Sequence, residues 1–219
     1  VALALTLPLV SVAERAERFA RLCADAAACQ HCPTMAGRRR ILGSPDGPPD
    51  ARVCFIGEAP GRHGGERTGV PFSGDQSGRN FEVLLAIAGL TRAEVFVTNA
   101  ILCNPQDMAG RNRGPSRQEL ANCRTLLERQ LALVAAPVVV TLGAVALHAV
   151  GGLTAHGLQL REAVGGATPW RGRLLVPLYH LGPRARVHRN FARQSADFAA
   201  LGALVRSLDT GTFAASHTF

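Results

Sequence analysis

Four short apolar runs constrain this chain more than any other feature, because each ends in a glycine or a polar side chain and a segment of helical periodicity follows it. They are VCFI at 53–56 before Gly57, VFVT at 95–98 before Asn99, PVVVTL at 137–142 before Gly143, and RLLVPLY at 173–179 before His180. Runs of this length, rich in β-branched residues and closed by turn formers, read as buried strands. Helical spacing appears over 11–28, over 81–90 through Phe81, Leu84, Leu85 and Ala88, over 144–150 and over 187–208. The helix at 116–135 opens on a capping box, Ser116 with Glu119. Strands alternating with helices predict an α/β fold: a single domain spanning 1–219, doubly wound, with a mainly parallel four-stranded sheet flanked by helices. The glycine-rich segment 151–172 carries no assignable pattern, and the opening VALALTLPLV reads as a terminal strand or a ragged start, since it lacks the basic flank of a signal peptide.

In a parallel sheet the carboxyl ends of the strands share one edge, where open α/β folds place their ligands. The longest loop leaves the first run there, over 57–78, and holds Glu58, His63, Glu66, Phe72 and Asp75. Asn99 ends the second run and His180 the fourth. An Asn amide pairs a donor with an acceptor and matches a uracil edge, whereas cytosine presents the opposite polarity. A Phe stacks on a base face, a His donates to a carbonyl that gains negative charge as the base departs, and a carboxylate orients water at a cationic sugar. Each residue alone also suits a local structural role: Phe72 as loop packing, Asn99 as a turn former, His180 as a satisfied core histidine. Their common edge favours a site.

Charge points the same way. The chain carries 24 Lys and Arg residues, all of them Arg, against 16 acids, for a net charge of +8. Guanidinium groups engage phosphate oxygens in a bidentate way, so nucleic acid is a favoured partner, although a merely soluble surface has the same composition. The run Arg38, Arg39, Arg40 lies in a Gly- and Pro-rich connection where it either contacts phosphates or is simply solvated. No apolar run reaches the roughly 18 residues of a membrane helix, and no membrane or obligate protein partner is expected. Six cysteines without a secretory signal read as reduced thiols or metal ligands in the cytoplasm. Cys29 and Cys32 form a C-x-x-C, a ligand pair or, with no βαβ pattern leading into it, less readily a redox dithiol.

GEAPG at 57–61, TGVPFSGDQSG at 68–78, TNAILC at 98–103 and the Tyr179-His180 pair resemble the motifs of the iron–sulfur uracil-DNA glycosylases, families 4 and 5 of the uracil-DNA glycosylase superfamily. GEAPG is closer to family 4 and the loop aspartate to family 5. The resemblance implies a DNA-repair enzyme that hydrolyses the N-glycosidic bond of a flipped-out uracil and leaves an abasic site. It also implies four cluster ligands, Cys29, Cys32, Cys103 and Cys123, around a [4Fe–4S] cluster that joins the N-terminal helix to the core, although the same thiolates suit Zn²⁺. Cys54 and Cys23 are left to core packing.

By the same resemblance, Phe72 stacks on the base, Asn99 reads its edge, His180 polarises O2, and Gly57, Ala59, Pro60 and Gly61 line the pocket. Asp75 is the first choice to orient water and Glu58 the second. Gly61 stands where classical uracil-specific enzymes carry a Tyr, and His180 is followed by Leu181-Gly182-Pro183 instead of Pro-Ser or Pro-Ala. Leu181 is then the candidate wedge into the DNA stack, with Arg184, Arg186 and Arg189 on flanking phosphates. The alternatives are a non-catalytic or covalent uracil-DNA binder of the same superfamily, which the absence of histidine from 104–116 disfavours, and a nucleotide module using GEAPG as a phosphate loop, which lacks a P-loop lysine.

Overall fold

The computed structural model describes residues 11–211, so the opening VALALTLPLV lies outside the described residues. β1 (Val53–Gly57) is the second strand of the sheet and pairs in parallel with β2 (Val95–Asn99) on one side and β3 (Val138–Leu142) on the other. All three are buried along their whole length, which is why they read as continuous apolar runs. β5 (Arg173–Leu178) continues the sheet beside β3, again in parallel.

Among the described residues the sheet has five strands, not four, in the order β2-β1-β3-β5-β4. The additional edge strand, β4 (Thr168–Trp170), runs antiparallel to β5 and comes from the segment without an assignable pattern. It is three residues long with Pro169 at its centre, too short for alternation to register. Arg171 and Gly172 join it to β5 with φ of 50° and 70°, the two left-handed residues of a type I′ hairpin turn. Arg in the first of those places hides the turn, since Asn or Asp is the usual occupant.

Helices cover both faces, and two single-turn helices, α2 (Gly65–Thr68) and α6 (Leu160–Ala163), lie in the connections. Side chains of β1 alternate between them: Val53 and Phe55 face a core shared with Phe81 of α3 (Gln76–Ile87) and Phe198 of α7 (Phe191–Asp209). Cys54 and Ile56 face a second core with Phe19 of α1 (Val12–Ala27), Leu127 of α4 (Arg117–Leu133) and Leu147 of α5 (Ala144–Gly151). Cys54 is fully buried and burial pushes its thiol up to about 12, as befits a core residue. Two helix boundaries differ from expectation. α3 begins at Gln76, capped by Asp75, because its first turn is polar and carries no apolar stripe; α7 begins only at Phe191, capped by Asn190, and residues Pro183–Val187 form a separate 3₁₀ turn. No helix among the described residues is long and apolar enough to cross a membrane.

The loop before β1 shields the β2 edge and buries Asp46 to 1% exposure. One Asp46 oxygen accepts from the Gly43 N–H at 3.1 Å and the other has no partner. Burial pushes this carboxyl from its ordinary 3.8 up to about 8, against the pull of Arg92. A folded-state value above the unfolded one means that the group's contribution to stability is fully present below 3.8 and is lost as pH rises toward 8. Asp46→Asn keeps the acceptor and removes the titration; its melting temperature should exceed that of the wild type by a margin that widens from pH 5 to pH 8, measured by calorimetry.

Candidate active site

The site is built around Gly57, the last residue of β1, which sits in register with Asn99 at the end of β2. A β-carbon at Gly57 would lie 2.5 Å from Asn99 Oδ1 and 2.6 Å from the Phe72 ring, so only glycine lets both side chains close over the strand end. Asn99 is 2% exposed. Phe72 holds a left-handed backbone, φ 48°, which is strained for a residue with a β-carbon. Arg92 Nη2 donates to its carbonyl at 2.7 Å, and the Arg92 guanidinium lies 4.6 Å over the Phe81 ring, itself 5.3 Å from the Phe72 ring.

His180 follows β5 and packs on Gly143 at the end of β3, with its ring centroid 6.0 Å from that of Phe72. The Gly182 N–H donates to His180 Nδ1 at 3.0 Å. A backbone N–H can only donate, so in the neutral ring the proton resides on Nε2. Burial lowers the His180 pKa from 6.5 while the charge of Asp75 pulls it the other way; the net direction is down, which favours the neutral imidazole with Nε2–H as a donor.

The two carboxylates are in different settings. Asp75 Oδ1 accepts from the Gly78 N–H at 2.9 Å and caps α3, leaving Oδ2 against Gly61 and Gly64. A β-carbon at Gly61 would lie 2.9 Å from that oxygen, so the aspartate occupies the space that a side chain at this position would need. Glu58 is half-buried, burial raises its pKa, and its Oε1 faces Gly114 in the loop after β2.

Residues without any motif signal hold the wall. Asn104 is buried and donates to the Pro60 carbonyl at 2.6 Å and to Asn112 Oδ1 at 3.0 Å, and that same oxygen accepts from the Arg62 N–H. Asparagines in a polar loop read as turn formers, and only burial reveals these as struts. His63 contacts Arg62, and Glu66 accepts from the Arg39 N–H, so both belong to the rim.

On the far side of Ala59, Cys29, Cys32, Cys103 and Cys123 line a single small pocket. Burial, then the neighbouring thiols, pushes Cys103 up to about 12; burial outweighs a hydrogen bond from the Leu102 backbone to push Cys123 to about 11. Asn122 donates to Cys32 Sγ at 3.3 Å and Arg40 to the Cys29 carbonyl at 2.5 and 3.1 Å. Arg40 therefore turns inward and does not belong to a phosphate-facing run. Among the described residues no group of three or more His, Cys, Asp or Glu side chains converges on a point for one metal ion. The four thiols line one pocket instead, and four cysteine sulfurs are the donor set of an iron–sulfur cluster.

The rim overturns two expectations. Leu181 is fully buried in the core, its carbonyl held by Asn80 Nδ2 at 2.6 Å, and it cannot act as a wedge. The exposed apolar residue of that loop is Val187, at 86%. Arg189 is paired with Asp197 through both carboxylate oxygens, so it is not free for a phosphate, and Arg186 reaches Asn80 and stacks on Phe191, while Arg184 is exposed.

Residues 44–202 match the family model described as the uracil DNA glycosylase superfamily. The chain belongs to the uracil-DNA glycosylase superfamily. A type-4 uracil-DNA glycosylase from Thermotoga maritima is 30% identical over 153 residues, covering 69% of this chain and 75% of the relative. A type-5 uracil-DNA glycosylase from Thermus thermophilus is 34% identical over 192 residues, covering 70% and 82%. A type-4 enzyme from Sulfurisphaera tokodaii is 33% identical over 115 residues, covering about half of each chain, 52% and 50%. Membership supports an enzymatic, DNA-repair glycosylase role, and the superfamily match includes the Gly57 junction.

Gly57→Ala should displace Asn99 and Phe72 together and lower stability by about 1–3 kcal/mol, the usual result of overpacking, measured by urea unfolding.

Proposed function

We propose that this protein excises uracil from DNA by hydrolysing the N-glycosidic bond of an extruded deoxyuridine. The observation that carries the reading is the closure of Asn99 and Phe72 over Gly57, with the His180 ring 6.0 Å from Phe72. Phe72 supplies a face for the base, and the Asn99 amide accepts from uracil N3–H and donates to O4. As the bond to C1′ lengthens, negative charge grows on O2, where the His180 Nε2–H donates without carrying a positive charge of its own. Asp75 orients water toward C1′ and offsets the cationic character of the sugar. Glu58 is the weaker candidate, because burial favours its protonated form. The nucleotide must leave the stack to reach these groups. In the loop after β5, Val187 is the apolar side chain available to fill the gap, and Arg184 belongs to the same 3₁₀ turn.

Cys29, Cys32, Cys103 and Cys123 would hold a [4Fe–4S] cluster, which would supply cross-linking of α1 to the loop after β2 and to α4, not chemistry on the base. Asn122 and Arg40 orient the segment that carries Cys29 and Cys32. Purified protein should be brown and contain iron matching one such cluster per chain; zinc at one equivalent with no colour would replace the assignment.

A duplex with a single uracil, incubated with protein and treated with alkali, should break at that site and release free uracil; intact strands at high protein concentration, or an adduct that survives denaturation, would overturn the reading. Asp75→Asn keeps the helix cap and removes the charge, and Asn99→Ala removes the edge contact. Each should lower the single-turnover rate by roughly 10²–10⁴ with the melting temperature held. The rate should stay level as pH falls through 6.5, the ordinary His value, and decline only below it, because burial depresses His180.

A further inference from the structure

Met108 is the most exposed large apolar side chain among the described residues, at 106% of its reference area, and Val187 is next. Isolated exposed apolar residues are ordinary on protein surfaces. Met108 is set apart by how it is held. It stands at the tip of a hairpin, residues 105–113, closed by a bridge between Gln106 and Asn112. Asp107 ties the turn: its Oδ1 accepts from the Ala109 and Arg111 N–H groups at 2.9 Å, its Oδ2 accepts from Arg111 Nε at 2.8 Å, and Gly110 takes φ 72°. Arg62 Nη1 donates to the Gly110 carbonyl at 2.7 Å and its backbone N–H to Asn112, which straps the hairpin to the segment beside Gly61. Arg113 fastens its base to Glu119 by a two-pronged ion pair of 2.6 and 2.7 Å. A long apolar side chain is thus held in water on a rigid turn, where contact requires little further ordering.

The setting names the partner. The hairpin leaves β2 and Val187 follows β5, so the two loops that carry the exposed apolar tips are rooted on either side of the β1 and β3 strand ends, three strand spacings or roughly 14 Å apart at the sheet. Arg62 and Arg113 are taken up in fastening the hairpin, whereas Arg111 is 74% exposed and its pair with Asp107 is a weak surface pair, open to exchange for a phosphate. An apolar tip beside an exposed arginine matches a polyanion with stacked bases.

We propose that the 105–113 hairpin is a second nucleic-acid contact, with Met108 packing on duplex bases away from the extruded nucleotide and Arg111 on a neighbouring phosphate. This rests on the glycosylase reading above and adds a grip on the opposite side of the crevice from Val187. The test is anisotropy titration of a duplex carrying a reduced abasic site, at several salt concentrations. Met108→Ala should bind about tenfold more weakly with the slope of log K against log salt unchanged, since an apolar contact releases no counterions. Met108→Leu should restore most of the affinity, and Arg111→Gln should lower the slope by about one. The Met108 variants should melt with the wild type. If the wild type excises uracil and Met108→Ala binds as tightly as it does, the hairpin contact is refuted and the glycosylase reading stands; if the wild type neither binds nor excises, both fall. A protein partner in place of nucleic acid would give that same unchanged DNA affinity, and so would also refute the proposal.

Discussion

Parallel pairing of β1 between β2 and β3 is the constraint on which the rest of the molecule depends. The register that sets Gly57 beside Asn99 decides where the Asn99 amide stands. Because chain direction reverses its winding around β1, with β2 to one side and β3 to the other, the loops leaving these strands part and open a crevice. The strand is buried on both faces, so a one-residue slip would exchange Phe55 for Cys54 or Ile56 in two separate cores. Hydrophobic packing far from the crevice therefore holds the register at it.

Placing polar groups at that edge works against stability, and the surrounding structure offsets it. Phe72 adopts a backbone that costs roughly 1–3 kcal/mol for a residue with a β-carbon. Its carbonyl is held by Arg92, and its ring packs on Phe81 and lies near His180. His180 loses water but gains the Gly182 N–H, which sets its tautomer. Asp75 keeps one oxygen for the α3 cap and turns the other toward Gly61, so a single side chain starts the helix and charges the pocket. The left-handed Phe72, the desolvated imidazole and the paired glycines all lie within one small region, as strain and perturbed titration do at functional sites.

The cysteine cavity and the hairpin form one continuous support for the pocket wall. Cys103 and Cys123 bracket the 105–113 hairpin in sequence, and Arg113 links the hairpin to Glu119 one turn before Cys123. Bidentate pairing with Arg113 holds the Glu119 carboxyl down at about 2, so the pair stays ionic at any pH at which the protein works. From there Asn112, Asn104 and Arg62 carry the connection to Pro60. Order around the cysteines is in this way transmitted to the GEAPG segment by hydrogen bonds and an ion pair.

By itself the sequence determined the α/β class, the four longer strands and the edge where their loops gather, and it singled out Gly57, Phe72, Asp75, Asn99 and His180 as candidates. These were legible because strand periodicity and turn chemistry are local. Only the tertiary structure decided which of them meet. It buried Leu181 beneath α3 and exposed Val187, since the path of the chain after β5 depends on Asn80, a residue 101 positions away. It took Arg189 and Arg40 out of the arginines expected to meet phosphate by giving them partners at Asp197 and the Cys29 carbonyl. It added β4, whose three residues pair only because β5 is there to receive them. Which arginine is free, which leucine is covered and which asparagine is a strut are settled by long-range contacts, and a local pattern contains no information about those.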